Sequence, residues 1–346
     1  MMNDLWKSDG LVVPKKVPNK VEQSAAEAVE GSSPAKGNVD QQNASRTQCR
    51  ITAPNALDRV REAARKDKKV RFTALLHHVT PGRLRAAFFA LKRKAAPGVD
   101  GVTWEQYATE LEPRLRDLHG RLHRGAYRPK PSRRVYIPKS DGRQRPLGIA
   151  SLEDKIVQRA VVEVLNAIYE TDFVGFSYGF RPGRNQHMAL DALAAGIYRR
   201  NVNWVFDADI RDFYGTIDHG WLLKFVEHRI ADRRVLRLIQ KWLKAGVLLD
   251  GEWTETAKGA PQGATVSCLL ANIYLHYVYD LWVLRWRQRN APDNMIAVRY
   301  ADDTVTGFRE IRGCQELRSR TSRTIAEVRL GAPSGQDATA DVWKVR

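Results

Sequence analysis

The chain has 346 residues, 43% of them apolar, enough for a sizeable core in one large or two medium domains. Lysine and arginine number 57 against 39 Asp and Glu, a net charge of +18 that attracts polyanions, nucleic acid first among them, with a generically basic surface as the alternative. Three distant cysteines (Cys49, Cys268, Cys314) fit a reducing compartment without disulfides or a zinc site; the chain lacks both an apolar run of membrane length and an apolar signal core, so a cytoplasmic protein is expected.

Residues 1–55 are rich in Ser, Ala, Gln, Asn, Lys and Gly, and the composition predicts a disordered extension. From Leu57 the texture changes. "LDRVREAARKD" and "PGRLRAAFFALKRK" carry helical spacing with dense positive charge. "APGVDG" is a turn cluster, after which Thr103 caps a helix expected to run to about His123. "RVYIPKSDGRQRPLGI" predicts a β-hairpin turning at Asp141-Gly142. Ser151, with Asp154 three residues on, opens a strong amphipathic helix. A Gly/Pro loop, "FSYGFRPGRN", precedes another helix over 185–200.

"NWVFDADI" (203–210) is a short strand ending in acids, followed by helices over about 219–230 and 233–246. "APQGATVSCLLANIYLHYVYDLWV" is a turn leading into a long apolar helix, and "MIAVRYADDTVTGF" closes the set as a hairpin. Strands and helices intersperse without a βαβ rhythm, which predicts an α+β fold. Three acids stand at strand ends: Asp209, and Asp302 with Asp303. Carboxylates from two separate segments could converge on a Mg²⁺ cluster, since that ion takes a few carboxylate oxygens plus water and substrate phosphates. Beside so basic a chain, hard oxygen ligands point to phosphoryl or nucleotidyl transfer. For any one acid alone, a plain turn residue is the alternative.

Together, "YADD" after an apolar strand, "DADIRDFYGTIDH" upstream and "PQG" between them resemble the palm motifs of reverse transcriptases. "RVYIPKSDGRQRPLGI", "FSYGFRPGRNQHMAL", "LLANIYLHYV" and "AAPGVDGVTWEQY" narrow the resemblance to the group II intron-encoded reverse transcriptase/maturase family, over about residues 57–308. The resemblance implies right-hand polymerase fingers over 56–200 and a palm over 201–308. It implies Asp209, Asp302 and Asp303 as catalytic metal ligands, joined by the Ile210 backbone carbonyl, for two Mg²⁺ ions (or Mn²⁺). Asp207, on the same face of its strand as Asp209, is a further candidate. Lys139 and Arg145 are implied as triphosphate holders, Tyr214 as the ring that crowds a ribose 2′-OH, and Gln262 with Gly263 as contacts to the nucleotide. Implied partners are group II intron RNA, an RNA template with DNA primer, and dNTPs, with no membrane. The basic stretches 57–95 and 114–145 are expected to track RNA phosphates, with Tyr127 placed to stack on a base.

Four positions depart from the family pattern: Asp212 stands where Gly is usual and Gly215 where Asp is usual, while Ala264 replaces Gly and Cys268 replaces Pro. After Phe308 the chain turns rich in Arg, Ser, Thr, Gly and Ala, and the expectation is an unrelated tail over 309–346 produced by a frameshift, with the palm incomplete, its sheet edge uncovered and the thumb and maturase region missing. Weak or absent polymerase activity follows from that expectation, and the rival reading is a non-catalytic RNA-binding remnant. A retron-type enzyme fits the motifs less well.

Overall fold

The computed structural model describes residues 56–138, 142, 144–210, 212–291, 295–317, 319 and 343–345. The expected disordered extension therefore lies outside the described residues, as do Lys139 and Asp141. The core is built around α5 (Leu152–Asp172), whose apolar residues Ile156, Val157, Ala160, Val161, Val164, Leu165 and Ile168 are all buried. Their three- and four-residue spacing makes a stripe wide enough to pack neighbours on several sides. Ser151 caps this helix: its Oγ accepts from the Asp154 amide and donates to the Asp154 carboxylate at 2.7 Å. Against α5 pack α1 (Ala56–Lys66) and α2 (Pro81–Phe89).

Thr103 caps a helix with a full capping box to Gln106, as the sequence predicts. The expected single helix is two, α3 (Trp104–Ala108) and α4 (Leu111–His123). Pro113 accounts for the break: it has no N–H for the Thr109 carbonyl and its ring would clash there.

Two four-stranded sheets flank the core. In the first, β1 (Ser132–Pro138) and β2 (Gln144–Ile149) form the expected hairpin. It is extended by β4 (Val247–Leu249), parallel to β1, and β5 (Glu252–Thr254), in the order β2-β1-β4-β5. The β4–β5 hairpin turns at Asp250-Gly251, both at positive φ (49° and 89°), the conformation that favours Asp-Gly in tight hairpins.

The second sheet has the order β6-β7-β3-β8: β3 (Trp204–Ile210), β6 (Met295–Tyr300), β7 (Asp303–Phe308) and β8 (Trp343–Val345), all antiparallel. Phe206, Ala208 and Ile210 alternate inward with Thr304, Thr306 and Phe308 beneath a helical layer. That layer runs from α10 (Thr265–Leu275) through one π turn (His276–Asp280) into α11 (Leu281–Asn290). The remaining helices are α6 (Gln186–Arg200), which packs on β6, α7 (Phe213–Thr216), α8 (His219–Glu227), which packs on α10 and α9, and α9 (Arg233–Leu243). α6 crosses the far end of the open sheet face, where a Cβ on Gly196 would stand 3.0 Å from the Ile296 side chain. The α+β expectation holds. One correction concerns the edge of the second sheet. It is not left uncovered along β3, because β8 pairs with its last three residues in the register Ala208↔Val345, Asp209↔Lys344 and Ile210↔Trp343.

Candidate active site

The open face of the second sheet carries the acids at one end. Register places Asp209 of β3 directly opposite Asp303 of β7, and Asp303 opposite Tyr300 of β6. Residues paired across a sheet project to the same side, so both carboxylates share the face away from the helices. Ala301 and Asp302 form the two-residue connection between β6 and β7, and Ala301 takes the left-handed φ of 55° that such a tight turn demands. Asp207 projects on the same face as Asp209, with Val305 opposite it.

Asp302 sits in a setting that disfavours its charged form. Burial pushes its carboxyl above the ordinary range, and the charges of Asp209 and Asp303 push it further. Its own backbone N–H and the Arg145 guanidinium oppose the rise. Two strand ends and a turn thus bring three acids together, and like charges at such positions disfavour one another.

Arg145 reaches this point from β2 of the first sheet, where it pairs with Ile137. Tyr214, on α7, is buried beside the same groups. Burial raises the pKa of its hydroxyl first, Cys268 and Asp302 add to the rise, and Arg145 opposes it. The strand is joined to this helix through Asp212, at φ 44° and ψ 47°. The backbone there explains why glycine is the usual residue, and aspartate is among the few others that tolerate it. A Cβ on Gly215 would stand 2.3 Å from the Asp212 Oδ2. The two departures from the family pattern are therefore one reciprocal change, in which the Asp212 carboxylate occupies the space a side chain at 215 would need.

The "PQG" turn docks on the first sheet. The Gly148 amide donates to the Gln262 carbonyl at 2.7 Å, and Gly263 has φ 99° with Gly148 O only 3.0 Å from where its Cβ would be. No other residue fits that combination without strain. The Gln262 side-chain Oε1 is buried without a hydrogen-bond partner, an open acceptor in the turn. Ile210 ends β3 with its side chain in the core.

Sequence reasoning missed what holds the turn in place. Arg299, fully buried in β6, donates to Asp280, Asn272 Oδ1, Ser177 Oγ and the Ala301 carbonyl, the last at 2.8 Å. The "FSYGF" loop lies along the free edge of β6: the Arg299 amide donates to the Phe176 carbonyl and the Tyr178 amide to the Arg299 carbonyl, each at 2.8 Å. Asn272 fixes the loop through Gly179 O, and a Cβ on Gly179 would fall 2.2 Å from the Ala301 amide. Phe180 follows at φ 56°, a strained conformation for a bulky residue. The signal was in the sequence: a lone Arg inside an apolar strand and a lone Asp inside an apolar helix need each other.

One expectation is overturned. Tyr127 does not stack on a base: it is 1% exposed, its hydroxyl donating to Asp154 and accepting from Trp242 Nε1.

The donor chemistry fits a divalent cation, with three hard carboxylates at one strand end and the Asp302 carboxyl raised by burial first and by Asp209 and Asp303 after it. Among the described residues no group of three or more His, Cys, Asp or Glu side chains is arranged so that it could hold a metal ion by itself, and Asp209, Asp302 and Asp303 are no exception. Mg²⁺ is commonly held by one or two carboxylates completed by water and substrate phosphates.

An antiparallel sheet bearing acids on its open face, backed by helices and facing a basic hairpin, defines a polymerase of the palm-and-fingers type. The reverse transcriptase (RNA-dependent DNA polymerase) family matches residues 137–334. Protein YkfC of Escherichia coli (strain K12) is 35% identical over 308 residues, covering 80% of this chain and 81% of YkfC. Group II intron-encoded protein LtrA of Lactococcus lactis subsp. cremoris is 33% identical over 244 residues, 69% of this chain and 40% of LtrA. An uncharacterized 91 kDa protein in the cob intron of Schizosaccharomyces pombe is 42% identical over 146 residues, 42% of this chain and 18% of that protein. The chain belongs to the reverse transcriptase family, in its group II intron-encoded branch. The family match passes Phe308 and continues to residue 334, so the likeness does not end where the sequence reading placed the start of an unrelated tail.

Proposed function

We propose that this chain carries the RNA-directed DNA polymerase centre of a group II intron protein, adding dNTPs to a primer 3′-OH on an RNA template. The observation that supports it most is the meeting of Asp209, Asp302 and Asp303 beside Arg145, drawn from separate stretches of sequence. Asp209, Asp302 and Asp303, with the Ile210 carbonyl, would hold two Mg²⁺ ions. When bound, these supply activation of the attacking hydroxyl and charge stabilisation of the leaving pyrophosphate. Arg145 offers a planar fork and Lys139 a point charge to the triphosphate. The Tyr214 ring crowds the sugar 2′ position. Gln262 and Gly263 bring an open acceptor and bare backbone to the nucleotide. Fingers over 56–200 and palm over 201–308, an intron RNA partner and a cytoplasmic location complete the reading. Among the described residues no helix is long and apolar enough to cross a membrane.

The chain spans 40% of LtrA, so a role in splicing or intron mobility is part of the proposal. Primer extension on an RNA template with Mg²⁺ tests the reading, wild type against Asp302→Ala. Incorporation by the wild type alone is expected. Equal incorporation by both refutes the metal assignment, and none from either favours the non-catalytic RNA-binding remnant.

A further inference from the structure

α9 buries Val235, Leu238, Ile239, Trp242 and Leu243, and this spacing turns Arg237, Gln240, Lys241 and Lys244 outward together. Across from them runs the segment joining α4 to β1, which contributes Arg128. Between the two lies an open groove of about 730 Å³. Four cations line it and no acid does. None of the residues proposed for metal or nucleotide binding takes part.

The groove stands on fixed elements. The Lys241 ammonium donates to the Tyr127 carbonyl at 2.6 Å and the Gly125 carbonyl at 3.2 Å, tying the connector to the helix. Just beyond α9, the Gly246 carbonyl accepts from the Ser132 amide at 3.1 Å, where β4 joins the first sheet. Burial lowers the Lys241 pKa first, and Arg237 and Arg128 lower it further, so the charges press on one another. Elsewhere cations are commonly matched: Arg121 pairs with Asp117 and Glu153, Arg181 with Glu170, and Arg85 with Glu112. Among the described residues none of the four groove cations has an ion pair. Uncompensated cations crowded on a rigid surface suit a polyanion whose charges repeat along its length.

We propose that the groove between α9 and the α4–β1 connector seats the phosphodiester backbone of RNA, at a place distinct from the strand end that carries the acids. Arg128 and Arg237 present forks to phosphate oxygens, and Lys241 and Lys244 present point charges. The proposal rests on the reading that the chain binds RNA, and it adds where.

The test is the salt dependence of binding to a short single-stranded RNA of mixed sequence. One variant carries Arg237→Gln with Lys244→Gln, both exposed and clear of the Lys241 hydrogen bonds. A control of equal net charge carries Arg285→Gln with Arg289→Gln, exposed on α11. Loss of two phosphate contacts should flatten the log–log salt slope by about 1.4 in the groove variant and leave the control at the wild-type slope. Equal slopes for both variants, whether unchanged or flattened alike, would overturn the groove as a site. A wild type with no salt-dependent RNA binding would instead overturn the underlying RNA reading.

Discussion

Arg299 and Asp280 form a fully buried bidentate pair, Nε to Oδ1 at 2.7 Å and the second contact to Oδ2 at 2.6 Å. The remaining three guanidinium hydrogens go to Asn272, Ser177 and the Ala301 carbonyl. All five donors are therefore used, which a lysine could not do. The π turn at 276–280 supplies the acid from the helical layer, directly behind the turn that carries Asp302.

Breaking that pair leaves a buried charge alone, so Asp280→Asn is expected to cost about 3–5 kcal/mol in unfolding experiments. Arg299→Met combined with Asp280→Leu should recover most of the loss, because an apolar pair of similar volume avoids the desolvation cost. Primer extension should stay depressed in that double variant, since nothing then holds the Ala301 carbonyl. Full activity in a stable double variant would show that the pair serves the fold alone.

The acids of the strand end should trade against stability. Asp209 and Asp303 are register partners, and like charges directly opposite are unfavourable. Asp303→Asn is expected to raise stability by roughly 0.2–1 kcal/mol without metal while lowering Mg²⁺-dependent extension. Thermal melts in chelator, compared with extension assays, check both halves.

Gly215 and Asp212 form a coupled pair. Gly215→Ala places a methyl into the Asp212 carboxylate and should cost about 1–3 kcal/mol. Asp212→Gly relieves both the crowding and the left-handed backbone, so the double variant should recover wild-type stability. A double-mutant cycle with no coupling would contradict this account.

Asp232 gives an acid-sensitive element. Burial alone would raise its pKa, but the amides of Leu75, Leu76 and Arg234 donate to it and hold it below the ordinary range. With the folded value depressed, the stabilisation is present above about pH 4 and is lost as pH falls through the lower folded value. Asp232→Ala should destabilise the protein at neutral pH by about 3 kcal/mol, and the gap to wild type should narrow below pH 4. Urea unfolding across that range measures it.

Much of this was legible in sequence because caps and periodicity are local. Thr103, Ser151 and Asn185 each cap the helix expected after them, and β3 and the β6–β7 hairpin fall where alternation put them. The α3–α4 break was announced by Pro113 and overlooked. The β4–β5 hairpin was announced by Asp250-Gly251, but its strands are only three residues long. The meeting of Asp209 with Asp303 followed from the family motifs. The five-donor clamp at Arg299 did not, because apart from the nearby Ala301 its partners come from the Ser177 loop and from Asn272 and Asp280 in the helical layer, which only tertiary packing brings to it. Tyr127 misled because its neighbours in sequence are cations, whereas its neighbours in space are Asp154 and Trp242.

The most direct test of the central claim is Mn²⁺ binding, read by paramagnetic relaxation with a dNTP and a primer–template present. The wild type is expected to bind the ion, and Asp209→Ala and Asp302→Ala each to lose most of that affinity. Undiminished Mn²⁺ affinity in both variants would contradict the assignment of this strand end as the metal site.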